Sequence, residues 1–280
     1  MNFTRKALNL YLYSSCHIAL GAVLFTAEAY SYIEEWDFIF LSFVFCSTVL
    51  IYSIHRIVGI NKLSGLSQEG RFQVIARYQD HIKAYIAVSL LSLIFLANRL
   101  STETLIALLP VGVISLLYTL PILTDKKRLR DFHYIKIILI CFVWAYIAAL
   151  PLYMDGVTID RLWLYFLEKF IFILAITLPF DIRDFEIDGF SQLMTIPKSI
   201  GVKQTYALCT ALLALGFGIQ VYVHHSDPLL LIPYLIIYLM TYVVILISRN
   251  KTSDYYYSGL LDGTLLMRGI VILCLVSKLN

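Results

Sequence analysis

Charge is what this chain lacks most. Asp, Glu, Lys and Arg make up only 15% of its 280 residues, against about a quarter in a soluble domain. Hydrophobic residues reach 60% and the mean hydropathy is +0.79, a balance that excludes an ordinary soluble domain. No CxxC pair occurs. The five cysteines (Cys16, Cys46, Cys141, Cys209, Cys274) all sit in apolar stretches, as small buried hydrophobes rather than metal ligands or a disulfide framework. Low-complexity tracts and long linkers are missing too, so 1–280 reads as a single polytopic membrane domain. There is no clear internal repeat, which counts against a secondary transporter.

What is present is a series of long apolar runs, each able to cross a hydrocarbon core of about 30 Å. Nine are expected, near 9–31, 37–59, 84–98, 104–123, 134–153, 162–181, 204–224, 228–248 and 259–277. The first, with Arg5 and Lys6 ahead of it and Ala27-Glu28-Ala29 behind, is read as a transmembrane helix rather than a signal peptide. With the N-terminus inside, the inner segments hold seventeen basic residues and the outer ones three (Arg99, Arg161, Lys278). That asymmetry predicts a cytoplasmic N-terminus and an outer C-terminus, in the cell's inner (plasma) membrane.

The most informative stretch is Asp181-Ile-Arg-Asp184-Phe-Glu186-Ile-Asp188, at the inner end of the sixth run. In a helix, its DxxDxxxD spacing would place Asp181, Asp184 and Asp188 within about 60° of arc, with Arg183 pointing away. Aligned carboxylates suit Mg²⁺, which takes one or two of them and fills its shell with water and phosphate oxygens. The bland alternative is a solvated acidic loop. Two basic inner loops lie on the same side, so the combination suits a diphosphate, with metal and cations sharing the neutralisation. Pro179, just before the motif, is expected to open the helix.

These residues resemble the second aspartate motif of the UbiA superfamily of intramembrane prenyltransferases, DxRDxExD. The likeness extends to Thr195-Ile-Pro197 and Gly201 after the motif, and to Leu117-Tyr118-Thr119-Leu120-Pro121 with Lys126, Lys127 and Arg128 downstream. The resemblance implies an all-α membrane protein with nine helices around a central cavity. It also implies Mg²⁺ held on a prenyl diphosphate, and a carbocation captured by an aromatic or lipid acceptor. The first motif of that family, NDxxDxxxD, is replaced here by His55, Arg56, Gly59 and Leu63, and no carboxylate stands between Asp37 and Glu69. One Mg²⁺ site therefore remains, held by Asp181, Asp184 and Asp188.

Candidate diphosphate contacts are Arg56, Lys126, Lys127 and Arg183, since Arg makes bidentate phosphate contacts. For Arg56 the alternative is snorkelling to headgroups, and for the basic loop a topology signal. Tyr52, His55, Tyr118 and Tyr146, with Trp144, are the candidate cavity lining, where aromatic faces stabilise a cation. Glu168, Lys169, Asp262 and Arg268 fall within spans and are expected to find polar partners inside the bundle; Asp262 and Arg268, about 240° apart, do not pair with each other. The expected partners are the lipid bilayer and a prenyl diphosphate, and no nucleic acid. The other reading is a catalytically inactive UbiA-like protein that binds isoprenoid lipid or supports a membrane complex.

Overall fold

The computed structural model describes residues 9, 11–12, 14–33, 35–63, 75, 77–123, 127–185 and 193–279, the side chains of 60–63 and 276–279 excepted. Asp188 and Lys126 lie outside these residues. The described chain is helical, with no strand among the described residues.

Among the described residues ten α-helices occur in order: α1 (Cys16–Ala27), α2 (Phe38–Leu63), α3 (Gln79–Ala97), α4 (Thr102–Thr119), α5 (Ile135–Met154), α6 (Ile159–Arg183), α7 (Ile196–Ile200), α8 (Val202–Val223), α9 (Leu231–Ser248) and α10 (Gly263–Leu279). Eight helical stretches among the described residues are long and apolar enough to cross a membrane, so the chain is an integral, multi-pass membrane protein. The stretch expected as a ninth, near 9–31, is shorter among the described residues: α1 and a 3₁₀ turn over Glu28–Ser31.

Packing closes the long helices into a ring. α1 touches α2 and α10; α2 touches α4, α4 touches α5, α5 touches α6, α6 touches α8, α8 touches α9, and α9 touches α10. α3 lies outside it against α2, with Val88, Leu91 and Phe95 exposed as befits a lipid-facing helix. α1 and α10 meet almost backbone to backbone. A Cβ on Gly269 would fall 2.5 Å from Leu24 Cβ, and small residues allow such contact between membrane helices.

Local signals act where expected. Ser101 caps α4 by accepting from the Thr104 amide at 3.1 Å. Gly201 takes φ 85° between α7 and α8, a conformation that favours glycine, which accounts for the glycine after the Thr-Ile-Pro turn. Pro179 does not open its helix; α6 continues through it to Arg183. Cys141 and Cys209 are buried, whereas Cys274 is exposed, so the buried-hydrophobe reading fails for that residue.

The strongest constraint lies in the half of the bundle away from the basic loops. Arg268 reaches Glu28 through Nε at 2.8 Å and Nη2 at 2.9 Å, and Glu168 through Nη1 at 2.8 Å and Nη2 at 2.9 Å. Lys169 pairs with Glu28, and the Tyr238 hydroxyl donates to Glu168. All four charged residues are fully buried. Two cations match two carboxylates, while Phe172 at 4.4 Å and Phe25 at 5.4 Å take the guanidinium on their faces. The expected polar partners of Glu168, Lys169 and Arg268 are therefore one another and Glu28. Towards the far surface, the Tyr32 hydroxyl meets Tyr234 and His224 Nε2, the latter at 3.3 Å. Burial pushes the His224 imidazole below its ordinary value, against the opposing pull of Glu28 and Asp227.

Removing one partner of a buried ion cluster strands the others. Arg268→Leu is expected to cost about 3–5 kcal/mol of stability, read as a lowered unfolding temperature in detergent; a change near zero would show that the cluster does not hold the bundle.

Candidate functional site

The acidic motif begins inside α6 and leaves it. The helix ends at Arg183, and Asp184 is its cap, its amide reaching back to the Phe180 carbonyl at 2.9 Å. Asp181 is buried and pairs with Lys136, in the first turn of α5, at 2.7 Å. Asp184 instead meets Arg183 Nε at 2.9 Å, and Arg183 extends to Asp254 at 3.5 Å. The Arg183 guanidinium lies over Phe180 at 5.1 Å and Tyr257 at 4.8 Å. Asp181 and Asp184 thus remain near one another along the chain but point to different cations. Asp184 ends the helix, and the third carboxylate of the expected face, Asp188, lies outside the described residues.

The other side of the site comes from α2 and α4. His55 stacks on Tyr118, ring centroids 6.3 Å apart, and Arg130 lies over the same tyrosine at 5.4 Å. The charges of Arg130, Arg128, Arg56 and Lys136 all act on His55. Its buried Nε2 has no hydrogen-bond partner among the described residues. Arg56 donates to the Leu12 carbonyl at 3.0 Å and acts electrostatically, with Arg183, on Asp262 in the last span. One turn away from Arg56, Tyr52 interacts with Asp262 and Tyr118, with Trp144 within hydrogen-bonding reach of its hydroxyl. Groups on α2, α4, α5, α6 and the last span therefore lie within electrostatic range of one another at the end carrying the basic loops.

Of the sequence candidates, Asp181, Asp184, Arg183, Arg56, His55, Tyr52 and Tyr118 come together here. Tyr146 does not: its hydroxyl donates to the Ala107 carbonyl at 2.8 Å and its ring packs on Phe142. Lys127 is exposed to solvent. The basic loop instead contributes Arg130, and Arg128, which is fixed by Asp131 at 2.8 Å. The sequence marks the run that holds Arg128 and Arg130 but not which of its members enter the site, and it misses Lys136 and Asp254 as site residues. Lys136 carries a usable signal, being a lone cation in the first turn of an apolar run.

Among the described residues, no group of three or more His, Cys, Asp or Glu side chains is disposed to hold a metal. Asp181 and Asp184 are hard oxygen donors of the type Mg²⁺ takes in pairs, whereas His55 and Arg56 offer it nothing. The two carboxylates fit the donor chemistry of such an ion.

If the Lys136–Asp181 pair is coupled, Lys136→Met and Asp181→Leu should each cost about 3 kcal/mol, and the double variant should recover about 1–3 kcal/mol of their sum. Thermal unfolding of the four proteins gives the cycle, and strict additivity would disprove the coupling.

No family model matches the sequence, and no curated protein matches it. Solved structures do. A UbiA homologue from Aeropyrum pernix K1, in its apo form, superposes with a TM-score of 0.62 at 14% identity, over 92% of this chain and 97% of that one. A UbiA homologue from Archaeoglobus fulgidus bound to DMAPP and Mg²⁺ gives 0.60 at 13% identity, over 96% and 98%. A structure of digeranylgeranylglyceryl phosphate synthase gives 0.58 at 14% identity, over 96% and 99%. The chain has the helical membrane fold of the UbiA homologues along nearly its whole length.

Proposed function

We propose that this protein is a UbiA-like membrane prenyltransferase, which takes a prenyl diphosphate at the basic end of the bundle and transfers the prenyl group to an aromatic or lipid acceptor. The observation that carries the reading is that, in this fold, the charges of Arg56, Arg128, Arg130 and Lys136 act together on His55, whose buried Nε2 has no hydrogen-bond partner among the described residues, while Lys136 pairs with Asp181. A buried polar atom without a partner calls for an explanation, and a phosphate oxygen would satisfy it. A UbiA homologue in complex with GPP and Mg²⁺ has the same fold, which supports the choice of ligand.

Within that reading, Arg56 and Arg130 bind the diphosphate oxygens, with His55 donating from Nε2. Lys136 holds Asp181 in place, and Arg183 orients Asp184. Asp181 and Asp184, with Asp188, would hold one Mg²⁺. When bound, that ion supplies charge neutralisation of the leaving diphosphate. Tyr52, Tyr118 and Trp144 line the next level of the interior, where aromatic faces favour a developing allylic cation and exclude water. The lysine and arginine asymmetry supports a site on the cytoplasmic side, and the reading takes the membrane to be the plasma membrane.

A second reading, a catalytically inactive relative that binds isoprenoid diphosphate, is favoured by the replacement of the first motif by His55 and Arg56. Purified protein in nanodiscs, given radiolabelled geranylgeranyl diphosphate, Mg²⁺ and a panel of phenols and lipid alcohols, separates the two. Transfer with release of diphosphate supports the enzyme; binding without transfer supports the inactive relative; no binding removes both. Arg56→Ala is expected to weaken diphosphate binding by about tenfold or more, the worth of a charge-assisted contact. Chelation of Mg²⁺ should weaken binding further without abolishing it, because cations replace the first motif. Unchanged binding by a folded Arg56→Ala protein would remove Arg56 from the site.

A further inference from the structure

Asp262 stands apart from the other carboxylates inside the bundle. Arg268 holds Glu28 and Glu168, Lys136 holds Asp181, and Arg183 holds Asp184 and Asp254. Asp262 lies within the last membrane-length stretch, Tyr256–Leu275, and no cation or donor among the described residues is in direct contact with its carboxylate. A carboxylate kept in a membrane span without a bonded partner is costly, and a functional role is its default reading.

A wide backbone turn precedes it. Tyr256–Leu261 form a π-helical turn, and the Asp262 amide reaches back five residues to the Tyr257 carbonyl at 3.0 Å. His17 on α1 secures that turn by donating from Nε2 to the Gly259 carbonyl at 2.9 Å, which leaves Nδ1 to accept from Tyr11 at 3.0 Å. Such single wide turns are frequent at functional sites. Leu261 and Gly263 on either side are buried, while Asp262 keeps part of its surface accessible. The charges that act on it are Arg56 from α2 and Arg183 from α6, it acts in turn on Tyr52 of α2, and His17 of α1 lies beside the neighbouring Gly263.

The level at which it sits decides its use. Tyr52 is one turn, about 5.4 Å, deeper along α2 than Arg56, and Asp262 interacts with both. A diphosphate held by Arg56 and its neighbours would leave its allylic carbon at that level. Prenyl transfer breaks the C–O bond, whose electron pair departs with the diphosphate. It also forms a bond from that carbon to the acceptor and releases the acceptor's proton. We propose that Asp262 is the proton acceptor: its carboxylate takes the proton as the acceptor's A–H bond breaks, and then gives it to water. This rests on the prenyl-transfer reading above.

The test compares wild type, Asp262→Asn and Asp262→Glu, full length in nanodiscs, with radiolabelled geranylgeranyl diphosphate, Mg²⁺ and the same acceptor panel. Asp262→Asn is expected to bind the diphosphate within about twofold of wild type and to transfer at least about 100-fold more slowly. The ascending limb of the wild-type pH–rate profile should vanish in Asp262→Asn and return, displaced, in Asp262→Glu. If Asp262→Asn transfers within about threefold of wild type with the limb intact, Asp262 is not the acceptor and the prenyl-transfer reading stands. A wild-type protein that binds the diphosphate but transfers to nothing overturns both. Should Asp262→Asn fail to fold, an Asp262→Glu limb that has not moved overturns the proposal, and a displaced one supports it.

Discussion

The buried contact of Arg268 with Glu28 and Glu168 is the constraint on which the rest of the bundle depends. It joins α10, α6 and the end of α1, three elements far apart in sequence, at a point where no water can screen or replace them. Hydrophobic attraction cannot set the register between helices inside a lipid phase, because tails are as apolar as the side chains. A guanidinium that must satisfy two carboxylates at once can set it. α6 and α10 are also the helices that carry or adjoin Asp181, Arg183 and Asp262, so the far half of the bundle fixes the height and rotation of the groups at the basic end.

Much of this fold was legible in the chain because the membrane makes it so. Scarce charge and runs of about twenty apolar residues leave helices as the spanning form, since every backbone amide must find its partner within the segment. The boundaries of α2, α5, α8 and α9 track the apolar runs closely. The first run was legible as apolar but not as a short helix with a 3₁₀ end. Pro179 was misleading in the opposite direction, because α6 carries a proline without breaking: its neighbours are packed, and a single lost hydrogen bond does not outweigh that packing.

The site was legible in part. Aspartates at helical spacing, and the Thr-Ile-Pro turn with its glycine, are local patterns, and a sequence displays local patterns directly. What it does not display is which cation a carboxylate will choose. Lys136 is 45 positions from Asp181, and the charges of Arg130 and Lys136 act on His55 from another part of the chain altogether. The basic loop announced itself as a charge run, yet which of its members turn inwards was decided by the Arg128–Asp131 cap and by the open face of Tyr118. Tyr146 shows the converse: an aromatic in a promising span that spends its hydroxyl on a neighbouring helix.

The π-helical turn at Tyr256–Leu261 gives the last span a property that an unbroken α-helix would lack. A wide turn is how a helix accommodates one surplus residue without rotating the segments on either side of it. Deleting a single residue there would restore an ordinary α-helical turn and leave Arg268 on one side, and Tyr256 and Asp254 on the other, near their present faces. A deletion elsewhere in the span would rotate one segment by about 100° relative to the other. The membrane anchor and the site-facing segment of this helix are therefore phased across that turn, and single-residue deletions in the final span should be tolerated best where they fall within it.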